Sequence, residues 1–149
     1  MRIEEAIQQT KPFRNGHHKV IVNLIFTSNW VQDSIKKALK PFGVTIQQYN
    51  VLRVLKGAGK PISTSTIRER LLDKMADTSR MVDRLFQKGL VLRQECEYDK
   101  RLVDISLSEA GKELLDSLKT VNPQLDAILN NLTEAEAQQL SDLLDKARG

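Results

Sequence analysis

The sequence predicts a mainly α-helical chain with one small β-hairpin, which places it in the α+β fold class. Apolar side chains recur at helical spacing over most of the 149 residues. Residues 90–107 instead show two apolar runs with a polar stretch between them, the pattern of a hairpin. The length matches one compact domain of ordinary size, or a small domain with dimerising extensions.

The first long helix is expected over residues 18–39, and Pro41 and Gly43 end it. Because its apolar side chains cover nearly the whole circumference, we expect it to be buried against several neighbours. These side chains are Val20, Val22, Leu24, Ile25, Phe26, Trp30, Val31, Ile35 and Leu39.

Three shorter helices are expected next. Thr45 and Gln48 have the spacing of a capping box at the start of the first one. The second starts at residue 63 or 64 and ends at residue 71 or 72. The third covers roughly residues 75–88, with Gly89 as its C-terminal stop.

The hairpin follows, and its tip is expected at residues 97–100. Ser108 can then cap a helix that runs to about Leu118, and Pro123 predicts a bend after it. A second capping box at residues 133–136 starts the last helix, which carries a narrow apolar seam.

The order of helix, short turn, helix and hairpin is that of a winged helix-turn-helix, whose second short helix enters the DNA major groove. In this helix Thr78, Val82 and Leu85 share an apolar face with Met81. Ser79 and Arg80 lie on the opposite face. The Ser79 hydroxyl can bind a base edge or a phosphate, and the Arg80 guanidinium can form two parallel hydrogen bonds to guanine.

The hairpin tip places Lys100 and Arg101 together, a pair suited to phosphates or to a narrow minor groove. Asp99 would repel phosphate, so we expect it to orient Arg101 through a charge-assisted hydrogen bond. For Arg93 two interpretations remain open: a DNA contact, or an ion pair with Glu95 or Asp104.

The segments Arg80–Leu85, Lys88–Val91 and Asp99–Arg101 resemble the MarR family of bacterial transcriptional regulators. Residues 45–55, 107–111 and 132–144 resemble further helices of that family, so the resemblance spans about residues 18–147. It implies a homodimer whose first and last helices intertwine and whose two winged domains bind a pseudo-palindromic operator. It also implies that Ser79 and Arg80 face the major groove and that Arg101 enters the minor groove. The chain departs from the family pattern at residues 73–77, where an acidic entry replaces one rich in Ser or Pro.

On this interpretation residues 44–107 form the winged helix-turn-helix DNA-binding domain, and residues 1–43 and 108–149 form the helical dimerisation region. The expected DNA contacts are Ser65, Lys74, Thr78, Ser79, Arg80, Arg84, Arg93, Asp99, Lys100 and Arg101. The expected dimer contacts are Val20, Leu24, Leu125, Leu129, Leu140, Leu143 and Leu144.

The charge distribution agrees with a DNA-facing part and a separate tail. Residues 1–59 carry nine basic and three acidic side chains, and residues 60–101 carry ten and seven. Residues 102–149 carry four basic and nine acidic side chains, so the formal net charge of +4 conceals a basic front and an acidic tail.

Other function classes find little support. No apolar run approaches the roughly 20 residues that span a bilayer, and the first residues show no apolar stretch typical of a secretory signal. The single cysteine cannot form an internal disulfide, so we expect a cytoplasmic protein. One cysteine and two adjacent histidines do not suggest a metal site, and no cofactor is expected. Acidic and histidine side chains are not clustered for acid–base chemistry, so we do not expect an enzyme. Cys96 is interpreted as a passive strand thiol.

We therefore expect a sequence-specific, DNA-binding transcriptional regulator that acts as a ligand-responsive repressor. The alternative is a winged-helix protein-interaction module without direct DNA binding. The family resemblance implies a small aromatic or phenolic effector, and Trp30 is the one candidate pocket residue.

Overall fold

Eight α-helices and three short strands make up the chain. The computed structural model describes residues 1–149. The helices are α1 (Ile3–Ala6), α2 (Gly16–Leu39), α3 (Ile46–Ala58), α4 (Thr64–Arg70), α5 (Thr78–Gln87), α6 (Glu109–Leu118), α7 (Asn122–Asp126) and α8 (Glu134–Arg148), and the strands are β1 (Ile62–Ser63), β2 (Val91–Glu95) and β3 (Val103–Leu107). Short 3₁₀ turns lie between α6 and α7 and after α7, where Pro123 predicted a bend.

Side-chain caps start most of these helices. Thr45 and Gln48 form the expected capping box of α3, and Thr133 and Glu136 form that of α8. Ser63 caps α4 and Ser108 caps α6, each by accepting a hydrogen bond from a backbone N–H of the first turn. A cap of this kind contributes about 1 kcal/mol to helix stability, so the starts of the helices are encoded locally.

The hairpin is confirmed, and it belongs to a three-stranded antiparallel sheet of order β1-β3-β2. Val91 pairs with Leu107 at one end of the hairpin, and Glu95 pairs with Val103 at the other. The connection at residues 96–102 is the wing tip. β1 adds an edge strand through the pairing of Ile62 with Ile105.

The hydrophobic core lies between α3, α4, α5, the sheet and α6. Leu52, Ile67, Leu85 and Ile105 are almost fully buried within it. The inner face of α6 and the turn after it complete the same core through residues 115–121. The helix that leads to the tail is thus part of the winged domain's packing.

The start of α6 touches the end of the α5–β2 connection with no space between them. The Ser108 hydroxyl donates to the Gly89 carbonyl over 2.6 Å, and the Ser108 N–H donates to the Leu90 carbonyl over 3.1 Å. A Cβ atom placed on Gly111 would lie 2.2 Å from the Leu90 carbonyl oxygen. Only glycine permits this close approach.

The expected start of one helix is wrong, and the expected burial of another is not seen within a single chain. The third short helix begins at Thr78 rather than near residue 75, because the Asp77 side chain caps it by accepting from the Arg80 N–H. The apolar circumference of α2 is not buried within one chain, where Val20 and Ile25 remain 55% and 60% exposed. No helix of the chain combines the length and the apolar character that crossing a membrane requires.

Candidate nucleic-acid interface

Helix α5 is amphipathic, with one apolar face and one polar face. Val82 and Leu85 pack into the core, while Ser79, Arg80 and Arg84 are exposed on the outer side. The two arginines take part in none of the salt bridges of the chain. Their guanidinium groups are therefore available to an external anion or base edge.

Thr78 does not belong to this surface, although it was expected to contact DNA. Its side chain is fully buried under the first turn of α5, and its hydroxyl oxygen has no hydrogen-bond partner. The apolar neighbours on the same face of the helix turn it inward. Thr78 is a core residue in this conformation.

Arg93 links the wing to α5. Its guanidinium forms an ion pair with Asp83 of α5 and lies over the ring of Phe86, 4.4 Å from the centroid. The expected partners, Glu95 and Asp104, are wrong, because α5 packs on β2 and brings Asp83 nearer. The ion pair fixes the orientation of the wing relative to the helix.

Asp99 holds Arg101 at the tip of the wing, as expected. The Arg101 Nε donates to Asp99 Oδ1 and its Nη2 donates to Asp99 Oδ2, both over 3.0 Å. These bonds hold the pKa of the Asp99 carboxyl below its usual 3.8 and raise the pKa of Arg101. The Arg101 side chain remains 90% exposed, so it is oriented but free to bind a ligand with its outer edge.

The remaining expected DNA contacts are surface residues. Ser65 is exposed on α4, and Lys100 is exposed beside Arg101. The Lys74 ammonium donates to the Glu69 carbonyl oxygen and would have to leave it to reach a phosphate. The structure thus exposes arginine side chains at two places, the outer face of α5 and the tip of the wing.

A groove between α3 and α6 was missed in the sequence. Its volume is about 340 Å³, and its lining includes Tyr49, Arg53, Lys56, Leu115 and Lys119. The sequence feature that could have revealed it is the spacing of positions 49, 53 and 56, which share one face of α3. Trp30, the candidate pocket residue, does not line this groove and is 47% exposed on α2.

The expected dimer contacts lie on helices with little cover in the single chain. Val20, Leu24, Leu129, Leu140 and Leu143 are exposed by between 40% and 56%, and Leu125 and Leu144 are partly buried. In α8 no residue is fully buried. These helices present apolar surface that a single chain leaves in contact with water.

Comparison with known proteins agrees with this architecture. Residues 42–102 match the sequence model of the MarR family. The transcriptional repressor MdtR of Bacillus subtilis is 32% identical over 120 residues, which are 78% of this chain and 75% of MdtR. The solved structure of a mutant of E. coli MarR, complexed with operator DNA, aligns with a TM-score of 0.78 at 27% identity and covers 83% of this chain and 89% of that one. A MarR-like transcription regulator from Bacillus cereus, at 21% identity, shares the fold with a TM-score of 0.79 over 89% of this chain and 95% of its own.

Proposed function

This chain belongs to the MarR family of DNA-binding transcription regulators, and from that premise we propose that it is a homodimeric, ligand-responsive repressor of a pseudo-palindromic operator. The family consists of regulators rather than enzymes. Two observations carry the proposal: the exposed face of Ser79, Arg80 and Arg84 on α5, and the exposed Arg101 at the wing tip, which Asp99 holds in place.

The binding mode follows from the position of these residues. Helix α5 enters the major groove, where Arg80 can form paired hydrogen bonds to guanine and Ser79 can bind a base or a phosphate. Arg101 reaches the adjacent minor groove, whose negative potential attracts arginine. Binding to chromosomal DNA places the protein in the bacterial cytoplasm.

A homodimer is the assembly that fits the exposed apolar helices. The apolar side chains of α2 and the seam of α8 would be buried by a second copy, which removes their contact with water. A two-fold dimer presents two α5 helices to half-sites about 34–36 Å apart. A pseudo-palindromic operator mirrors that symmetry.

We propose the groove between α3 and α6 as the effector site. An aromatic anion in the groove could place its charge near Arg53, Lys56 and Lys119, which line it. Arg53 already lies over the buried Tyr49 ring, 5.7 Å from the centroid. Lys56 and Lys119 lie 3.8 Å and 3.1 Å from Asp116, so an anionic ligand would compete with that carboxylate. Binding there would favour a spacing of the winged domains that no longer fits both half-sites.

Selection of genomic fragments by the purified full-length chain, followed by footprinting, tests the function. We expect protection of a pseudo-palindromic site, with a salt dependence that falls when Arg101 is replaced by Ala. Protein that retains no fragment at low salt would contradict DNA binding and favour the interaction-module alternative.

The effector site is tested separately, by titrating small aromatic carboxylates and phenols against the complex with that operator. We expect release of the operator by one of these probes, and loss of the response in Lys56→Gln with operator affinity retained. Release that is unchanged in Lys56→Gln and in Arg53→Gln would contradict the assignment of this groove.

A further inference from the structure

The turn between α4 and α5 exposes two large apolar side chains. Leu72 is 86% exposed and Met75 is 93% exposed, whereas the adjacent Leu71 is only 3% exposed and packs in the core. Leu71 therefore belongs to the core, whereas Leu72 and Met75 are exposed to solvent. Nothing within the chain covers them.

The turn that carries these side chains is held by hydrogen bonds. The Met75 N–H donates to Asp73 Oδ1 over 2.9 Å, and the Ala76 N–H donates to the Asp73 carbonyl over 3.4 Å. Asp77 then caps α5. Leu72 and Met75 are thus presented by an ordered turn, which lowers the entropy that binding must remove.

The surroundings of the turn favour a polyanion. Arg68 and Arg70 precede it on α4, Lys74 lies between the two apolar residues, and Arg80 follows in the first turns of α5. The carboxylates of Asp73 and Asp77 accept backbone N–H groups. Residues 68–80 carry four basic side chains and three acidic ones, with Glu69 as the third acid. This slight basic excess around the apolar pair fits a partner that offers apolar groups beside negative charge.

Duplex DNA offers that combination in its major groove. The C5-methyl group of thymine is the apolar group exposed there, and it distinguishes A·T from the other base pairs. The turn is continuous with the N-terminus of α5, the helix proposed to enter the same groove. The flexible methionine side chain can adapt to the position of a methyl group.

We propose that Leu72 and Met75 are specificity-determining residues that contact thymine methyl groups in the major groove, beside the bases that Ser79 and Arg80 reach. This inference rests on the proposed function. It adds a sequence preference for thymine at positions that the polar face of α5 does not contact.

The test uses the operator selected by the wild-type chain and replaces each thymine in turn by deoxyuridine, which lacks only the methyl group. We expect a loss of affinity of about fourfold for each contacted methyl, the size of the transfer term for one buried carbon group. The loss should be confined to one or two positions in each half-site.

Matched variants assign the contact to the turn. Met75→Gln and Leu72→Asn keep the size of each side chain but make it polar, and Met75→Leu keeps it apolar. We expect Met75→Gln to weaken operator binding and to make the deoxyuridine replacement silent at its position. Met75→Leu should retain both the affinity and the response, and affinity for non-specific DNA should be unchanged in all three.

Two results would overturn the proposal, and they differ from each other. Operator affinity that is insensitive to deoxyuridine, or equally sensitive in wild type and Met75→Gln, overturns the methyl contact alone and leaves DNA binding intact. Failure of the wild-type chain to bind any genomic fragment overturns the methyl contact together with the proposed function.

Discussion

Asp99 and Arg101 act as one unit at the wing tip. Two parallel hydrogen bonds from the guanidinium to the carboxylate fix the direction of a side chain that is otherwise 90% exposed. An arginine that is already oriented loses less side-chain entropy when it enters a groove. The pKa of the Asp99 carboxyl lies below its usual 3.8, so the orientation of Arg101 would be lost only at acidic pH, as the carboxyl is protonated.

Replacing Arg101 by Ala should therefore weaken operator binding broadly. Each lost phosphate or groove contact lowers the slope of log affinity against log salt by about one unit per subunit. Asp99→Ala should weaken binding less, because Arg101 remains but loses its fixed direction. Fluorescence anisotropy at several salt concentrations measures both, and an unchanged slope in Arg101→Ala would contradict the contact.

For Thr78 we predict a change in stability and not in operator binding, because its hydroxyl is buried without a hydrogen-bond partner. Valine has the same shape and no hydroxyl, so Thr78→Val should raise the free energy of unfolding by about 1 kcal/mol. Operator affinity should stay the same. Urea denaturation with Thr78→Ser as the control, which keeps the hydroxyl and removes a methyl, measures the effect. A folded Thr78→Val that loses operator affinity would return Thr78 to the DNA contacts.

Among individual residues, contacts between neighbours in the chain are predicted better than contacts between packed elements. The charge-assisted bond from Arg101 to Asp99 was predictable because the two residues are neighbours in the chain. The ion pair from Arg93 to Asp83 was not, because it depends on how α5 packs against β2. Thr78 was misassigned because a hydroxyl on an apolar helix face can point either way.

Among the elements, the contact of α6 with the α5–β2 connection sets how the tail leaves the winged domain. Ser108 caps α6 and also bonds to the Gly89 carbonyl, so one side chain serves both segments. Gly111 lets the two backbones touch.

Gly111→Ala should destabilise the fold by about 1–3 kcal/mol, because the new Cβ would meet a backbone carbonyl that cannot move aside. Gly57→Ala is the matched control. Gly57 lies inside α3 with open space around it, so alanine should stabilise there by about 0.5–1 kcal/mol. Thermal unfolding of both variants checks the difference, and equal melting temperatures would contradict the close contact.

The elements themselves were largely predictable, because caps and glycine stops act locally. The capping boxes of α3 and α8, the cap of α6 and the hairpin all lie where the sequence places them. The start of α5 was not predicted, since Asp73 and Asp77 can each begin a helix and the choice depends on the turn that Asp73 closes. The edge strand β1 forms only because β3 offers it a partner.

At the scale of the whole molecule, a single chain leaves apolar helix surface in water. Several apolar side chains of α2 and α8 are 40–60% exposed, although the core of the winged domain is closed. This is why the sequence predicted burial for α2 while the isolated chain shows exposure. Helical periodicity indicates that a helix face is buried. It does not indicate whether the same chain or a second copy covers that face.

Leu143→Lys should therefore dissociate the proposed dimer and reduce operator affinity at least tenfold, because one half-site then binds alone. Gln138→Lys places the same charge on the opposite face of α8, beside Asp142, and should change neither property. Analytical ultracentrifugation and operator binding check this pair. A wild-type chain that sediments as a monomer at micromolar concentration would contradict the proposed assembly.

The touching backbones at Gly111 and Leu90 have a thermodynamic consequence for regulation. If an effector in the proposed site beside α3 moved α6, this contact would transmit the movement to the α5–β2 connection at Leu90. Linkage then works in both directions: an effector that lowers operator affinity tenfold must itself bind tenfold more weakly to the operator-bound protein. The effector would bind first to copies of the regulator that are not on DNA. The abundance of these copies would set the effector concentration at which the operator is released.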